Sequence, residues 1–255
     1  MKKTFLFTSL LLSALSISSV TYAESIVTDR PDFTESPQSV PLGFIQLEAG
    51  YTFADAGDTK EHTVGELLIR MPVSQRIEAR LALNSFAFSD ASGMKVSGLQ
   101  DSSIGMKAEL IQMQNLLIPQ TAIIVSTTLP TGENPYREET LQPGMKLCLG
   151  WDINEDWALS SNLNYDRASD SGTSFNEFSQ SISLSWGFSE YLGAYLEAFA
   201  FQPDLEGSDD TAYINTGLTY LITDDLQLDG RIGQGLNGLD TDYFVGIGVS
   251  NRFRI

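Results

Sequence analysis

From Phe44 onward, apolar and polar residues alternate with a period of two along most of the chain. The last segment, Tyr243–Ile255, shows the pattern most clearly. Tyr243, Val245, Ile247, Val249, Asn251, Phe253 and Ile255 fall on one face; Phe244, Gly246, Gly248, Ser250, Arg252 and Arg254 fall on the other. A period of two is the signature of a β-strand. Twelve segments carry it, at 44–53, 62–71, 76–85, 102–110, 119–129, 143–152, 157–165, 176–188, 191–201, 211–221, 226–235 and 243–255. Most approach the ~9–11 residues with which a tilted strand crosses a bilayer.

The connections alternate in length. Residues 72–75, 153–156, 189–190 and 222–225 are short turns, while 54–61, 86–101, 130–142, 166–175, 202–210 and 236–242 read as longer loops, with 111–118 intermediate. Short turns on one rim and long loops on the other are the outer-membrane arrangement. The pattern therefore predicts an all-β fold, a transmembrane antiparallel up-and-down β-barrel of about 12 strands over residues 43–255, with both ends on the periplasmic rim. No run of 18 apolar residues follows the leader, which excludes a helical membrane protein.

Two segments precede the barrel. Residues 1–23 combine Lys2 and Lys3, a short apolar stretch from Phe5 to Leu15, and small residues before Ala23, the pattern of a cleaved signal peptide and hence of export to the outer membrane. Residues 24–42 hold Pro31, Pro37 and Pro41, which keep them out of regular structure. Their length allows a periplasmic lead or a plug inside the barrel.

Composition changes the picture in three places. The single cysteine, Cys148, rules out an internal disulfide and reads as a small filler of the wall. The net charge of −18 argues against nucleic-acid binding. Much of the acid lies in the longer connections, densest at Asp204, Glu206, Asp209 and Asp210. Such a rim is a solvated surface, a bridge through divalent cations to lipopolysaccharide, or an attractor of cationic solutes. Aromatic residues cluster near strand ends, with Trp151, Trp157, Trp186, Tyr191, Tyr220 and Phe253 toward the short-turn rim and Phe53, Tyr165, Tyr213 and Tyr243 toward the other. Two belts of this kind mark the bilayer interfaces.

The same alternation assigns an interior. Glu48, Glu66, Arg70, Glu78, Arg80, Lys107, Lys146, Glu197, Asp229, Arg231 and Arg252 fall on the polar, lumen-facing positions, because charge is costly on the lipid face. Arg70 with Glu78, or Glu66 with Arg80, can pair across one hairpin, and barrel closure can bring Arg252 toward Glu48. The mixed-sign belt is either a constriction that selects solutes or a salt-bridge lattice that fills the bore. No catalytic set is visible: the one histidine, His62, lacks a serine partner at strand spacing, and no metal-ligand or cofactor-binding motif is present. The reading is of a non-enzyme with no metal and no cofactor.

Several stretches carry a family resemblance. TDRPDFTESP at 28–37, VPLGFIQLEAGYTF at 40–53, GLQDSSIGMKAEL at 98–110, LPTG at 129–132 and LDGRIGQGLNG at 228–238, before FVGIGVSNRF, occur in that order over nearly the whole chain after the leader. Together they resemble a family of Gram-negative outer-membrane proteins named for the meta-pathway of phenol degradation, whose members are labelled transporters. The resemblance implies passage of small organic, including aromatic, solutes across the outer membrane. The chain departs from the usual outer-membrane ending by closing on Ile255, with Phe253 two residues earlier. The expected function is a porin-like channel or transporter for such solutes. The alternatives are a structural or surface-interaction barrel and, less favoured, a barrel enzyme. Expected partners are outer-membrane lipid and lipopolysaccharide, the barrel-insertion machinery and a small-molecule solute, with no nucleic acid.

Overall fold

A computed structural model describes residues 25–112, 115, 117–170, 173–237 and 241–255. The expected signal peptide, 1–23, lies outside the described residues. Among the described residues, fourteen strand segments follow one another: β1 (Phe44–Ala56), β2 (Thr59–Ser74), β3 (Ile77–Ala82), β4 (Phe86–Ala91), β5 (Met94–Leu99), β6 (Ser102–Ile111), β7 (Gln120–Leu129), β8 (Gln142–Asp152), β9 (Trp157–Asp170), β10 (Thr173–Gly187), β11 (Leu192–Pro203), β12 (Thr211–Thr223), β13 (Leu226–Asn237) and β14 (Tyr243–Arg254). They make twelve barrel strands, because β3 with β4, and β5 with β6, are lower and upper parts of single strands. All pairings are antiparallel, and β1 pairs both β2 and β14, so the sheet closes on itself. Closure leaves no edge through the membrane zone, where an unpaired backbone group has no water to bind.

Side chains set the short turns. In the β8–β9 turn, Asn154 Oδ1 accepts from the amides of Asp156 and Trp157 at 2.9 and 3.0 Å. In the β10–β11 turn, Ser189 Oγ accepts from Tyr191 and Leu192, both at 3.2 Å. Such local bonds replace strand pairing and force the chain to reverse.

The opposite rim differs from expectation. Residues 54–61, 86–101 and 166–175 are mostly strand, carried upward as hairpins rather than loops. Ser92 and Gly93, both at positive φ (52° and 89°), form the tight β4–β5 turn, with Gly93 N donating to Asp90 Oδ1 at 2.8 Å. That geometry matches the twist of a two-residue hairpin. A bulge at Gly65–Glu66 (φ 106° and 40°) displaces the register between β1 and β2 and switches which residue parity faces inward. Below it Arg70 points into the lumen; above it His62 and Val64 point outward, opposite Phe53 and Tyr51. His62 accordingly stacks on Phe88 with centroids 4.2 Å apart and shares a 2.7 Å hydrogen bond with the Tyr51 hydroxyl.

Trp157 and Trp186 stack at 5.4 Å near the short-turn rim. Tyr213, expected in the opposite belt, is instead buried and stacks on Phe199 at 5.0 Å. It shares parity on β12 with the buried Asn215, so it faces the lumen.

Candidate functional site in the barrel lumen

Residues 25–43 run inside the barrel. Their proline-rich backbone forms no strand, so its amides need partners from elsewhere. Wall side chains supply them. Glu48 accepts from Asp29 N through both carboxylate oxygens, at 3.2 and 3.1 Å. Glu197 accepts from Phe33 N (2.9 Å) and from Thr34 N (2.7 Å) and Oγ1 (2.6 Å). Asn162 Oδ1 takes Glu35 N at 2.7 Å, Glu109 takes Ser39 N at 2.6 Å, and Glu78 takes Val40 N at 2.8 Å. These residues lie on β1, β3, β6, β9 and β11, so the segment is held from several sides of the barrel.

Charges organise its centre. Asp29 faces Arg80 (2.6 Å), Lys107 (3.0 Å) and Arg70 (3.4 Å). Arg70 also pairs with Glu48 at 2.9 Å and with Glu78 at 3.0 Å, and Arg80 with Glu78 at 2.9 Å. Glu35 bridges Lys146 (2.6 Å) and Arg80 (2.8 Å). Burial alone would raise all three carboxyls of the segment, Asp29, Asp32 and Glu35. For Asp29 the cations Arg70, Lys107 and Arg80 outweigh it and hold the group well below the usual carboxylate range. For Glu35, Arg80 and Lys146 bring it down to about 2. Asp32 goes the other way: burial and the nearby Glu197 carboxylate push it well above the ordinary value.

A second anchor lies at the seam between the first and last strands. The Arg30 guanidinium meets Glu66 at 2.8 Å and Asp229 at 3.5 Å. It lies over Gly50 and Gly248, which face each other across β1 and β14, and a Cβ on either would collide with it. Two glycines in register thus cut a slot for one arginine. Arg231 donates to Pro31 O and to Thr52 Oγ1, both at 2.9 Å.

The eleven charges assigned to the interior from the alternation therefore fall into distinct groups. Glu48, Arg70, Glu78, Arg80 and Lys107 form one network around Asp29, with Arg70–Glu78 paired. Lys146 joins it through Glu35. Glu197, Glu66, Asp229 and Arg231 contact other parts of the same segment. Two suggested pairings are replaced. Glu66 meets Arg30 rather than Arg80. Arg252 lies opposite Gln46, not Glu48, and its partner is Asp225 at 2.7 Å, because Asp225 sits in the β12–β13 turn directly beside it.

Sequence reasoning missed an aromatic wall. Phe199 and Phe201 on β11, Tyr213 on β12 and Phe244 on β14 cluster inside the upper lumen, and Phe33 stacks on Phe199 at 4.7 Å and meets Phe201 edge-on at 5.3 Å. Their signal was parity: Phe199 and Phe201 alternate in step with Glu197. The segment leaves space on both sides. Below it lies a cavity of about 810 Å³ lined by Thr28, Asp32, Pro37, Ser160, Ser185 and Tyr195. Above it lies one of about 330 Å³ lined by Phe33, Glu35, Arg80, Lys146, Asn164 and Phe201.

The fold is shared with solved barrels. An outer membrane channel from Pseudomonas putida F1 superposes with a TM-score of 0.67 at 14% identity, covering 89% of this chain and all of that one. The KdgM porin (TM-score 0.54, 11% identity) covers 82% of this chain and 99% of its own, and the NanC porin (0.52, 15%) covers 81% and 98%. No curated protein matches the sequence. A family model, however, matches residues 28–253, covering most of the lumen segment and the described strands from β1 into β14. The chain belongs to the family described as Putative MetA-pathway of phenol degradation.

Proposed function

We propose that the protein is an outer-membrane channel for small organic solutes, aromatic ones included, with residues 25–43 acting as a plug that must shift for passage. The observation that carries this reading is the pair of cavities, about 810 and 330 Å³, stacked on opposite sides of a segment held by polar contacts. The upper cavity opens beside an aromatic wall. Rings there offer an apolar surface to a solute, and the charges around them set its orientation. Likeness of fold to a channel and two porins supports the same reading, and the family description is its source for aromatic cargo.

A second reading rests on the ion network. Buried charges that lose a partner cost several kcal/mol, so a segment tied by Asp29, Arg30 and Glu35 suits a permanently filled structural barrel. Planar-bilayer recording on the full protein separates the two. Discrete current steps, with uptake of an aromatic solute by proteoliposomes, support the channel. Silence under voltage and no uptake, for a barrel shown to be folded by heat-modifiable mobility, leaves the structural barrel.

A further inference from the structure

Two side chains of the chain's own N-terminal segment border the upper cavity in an arrangement that resembles a ligand. Phe33 places its ring against Phe199 (4.7 Å) and Phe201 (5.3 Å). Glu35, two residues on, places its carboxylate between Lys146 Nζ (2.6 Å) and Arg80 Nη2 (2.8 Å). Lys146 Nζ also sits 5.5 Å from the centre of the Phe33 ring, within cation–π range. Ring and carboxylate thus meet an aromatic wall and two fixed cations side by side.

The wall's charge is incomplete without this segment. Within the ion-paired network the wall supplies Arg70, Arg80, Lys107 and Lys146, but only Glu48 and Glu78 as counter-charges. The segment supplies the other two, Asp29 and Glu35. Three of the four cations are buried, and buried cations require anionic partners. When the segment shifts, these positions favour an anion from outside. Asn164, buried on the same cavity wall, keeps its Oδ1 without a protein partner, so the cavity also holds a spare hydrogen-bond acceptor for a ring substituent.

We infer that Phe199, Phe201, Lys146 and Arg80 form a binding site for an aromatic carboxylate, and that Phe33 and Glu35 occupy it as an internal stand-in. The inference rests on the channel reading for its place in transport, yet binding can be measured without conduction. Isothermal titration of the full-length, detergent-folded protein would use benzoate, benzyl alcohol and benzylammonium as probes. The F33A/E35Q variant empties the stand-in's ring and charge. It is expected to bind benzoate about tenfold more tightly than the wild type, and about tenfold more tightly than it binds benzyl alcohol, with no benzylammonium binding, as expected for charge-assisted bonds. Adding K146Q should abolish the preference for benzoate. Equal binding of benzoate and benzyl alcohol by the folded variant, or a preference unmoved by K146Q, overturns the assignment. If F33A/E35Q does not fold, E35Q alone, which keeps the ring packing, carries the same comparison. Planar-bilayer recording of the same samples reports on the channel separately: benzoate binding in a silent barrel leaves the site and removes the channel, and conduction without benzoate preference does the reverse.

Discussion

A single added methyl on the barrel wall should loosen the lumen segment. In Gly248→Ala the new Cβ would collide with the Arg30 guanidinium, the free end of a flexible side chain, and no positive φ constrains residue 248. The wall can therefore accept alanine while Arg30 is pushed from its slot. Arg30 then loses its 2.8 Å bond to Glu66, its 3.5 Å approach to Asp229 and a 3.3 Å bond to Ile247 O. Hydrogen bonds to charged groups are worth roughly 1.5–3 kcal/mol, so we take about 2 kcal/mol as the loss. At roughly 1.4 kcal/mol per factor of ten, local opening of the segment should become about 30-fold more frequent. Hydrogen–deuterium exchange of the Asp29, Phe33 and Thr34 amides, which are held by Glu48 and Glu197, reads that opening directly. Strand amides of β13 and β14 should keep their protection. Unchanged exchange at 29, 33 and 34 would refute the slot as an anchor, and equal acceleration in the strands would show that the wall, not the segment, had yielded.

Asp29→Asn removes the carboxylate facing Arg70, Arg80 and Lys107, and should cost about 3–5 kcal/mol, the usual penalty for breaking a buried pair, read as a lower urea midpoint for the folded barrel. Acid should release the segment. Asp29 and Glu35 have folded-state values below their unfolded ones, so their contribution is complete above the ordinary carboxylate value and fades as pH falls toward about 2 for Glu35 and lower for Asp29. Current through planar bilayers should rise between about pH 4.5 and 2, and a flat response contradicts the assignment. Asp32 has the opposite sign: its raised value makes its contribution complete below the ordinary value and lost as pH rises through the folded one. Asp32→Asn should therefore hold the segment more tightly than wild type at alkaline pH and no differently in acid. His62→Ala removes an outward stack and one hydrogen bond far from the lumen, so it should lower stability by roughly 0.5–1.5 kcal/mol and leave single-channel conductance as it was, measured side by side with wild type.

The barrel was legible because lipid on one side and polar groups on the other impose a strict period of two. That period located the membrane-crossing part of the twelve barrel strands and turned Glu48, Arg70, Glu78, Arg80 and Lys107 inward. It failed where the chain breaks phase. The Gly65–Glu66 bulge and the interruptions at 83–85 and 100–101 separate β3 from β4 and β5 from β6, and the Ser- and Asp-rich β4–β5 hairpin carries polar residues that read as loop. Tyr213 was misplaced because an aromatic near a strand end suits an interface belt and a lumen cluster equally; only the partner strands distinguish them. The contacts of residues 25–43 were hidden for a different reason. Wall carboxylates bind its backbone amides, and a backbone amide leaves no mark in the sequence. Only Asp29, Arg30, Asp32 and Glu35 signalled that the segment has charge to place.

A polar filling is a costly way to close a barrel for good. Replacing buried ion pairs with well-packed apolar groups is commonly neutral or stabilising, so a permanent core over β1, β2 and β3 would be expected to use leucine and valine where this chain uses Glu48, Arg70 and Glu78. Polar walls gain something else. When an apolar segment leaves, it strands apolar surface in water; when this segment leaves, Arg80, Lys107, Lys146 and Glu197 exchange their partners for water or for a solute anion. The energy difference between the two states is then a balance of charge-assisted bonds on each side rather than a loss of apolar burial. Gly50 and Gly248 fit the same logic, since a slot seats one arginine without packing the segment's backbone against the wall. On the proposed reading, the features that make the lumen look overfilled are those that allow residues 25–43 to leave it.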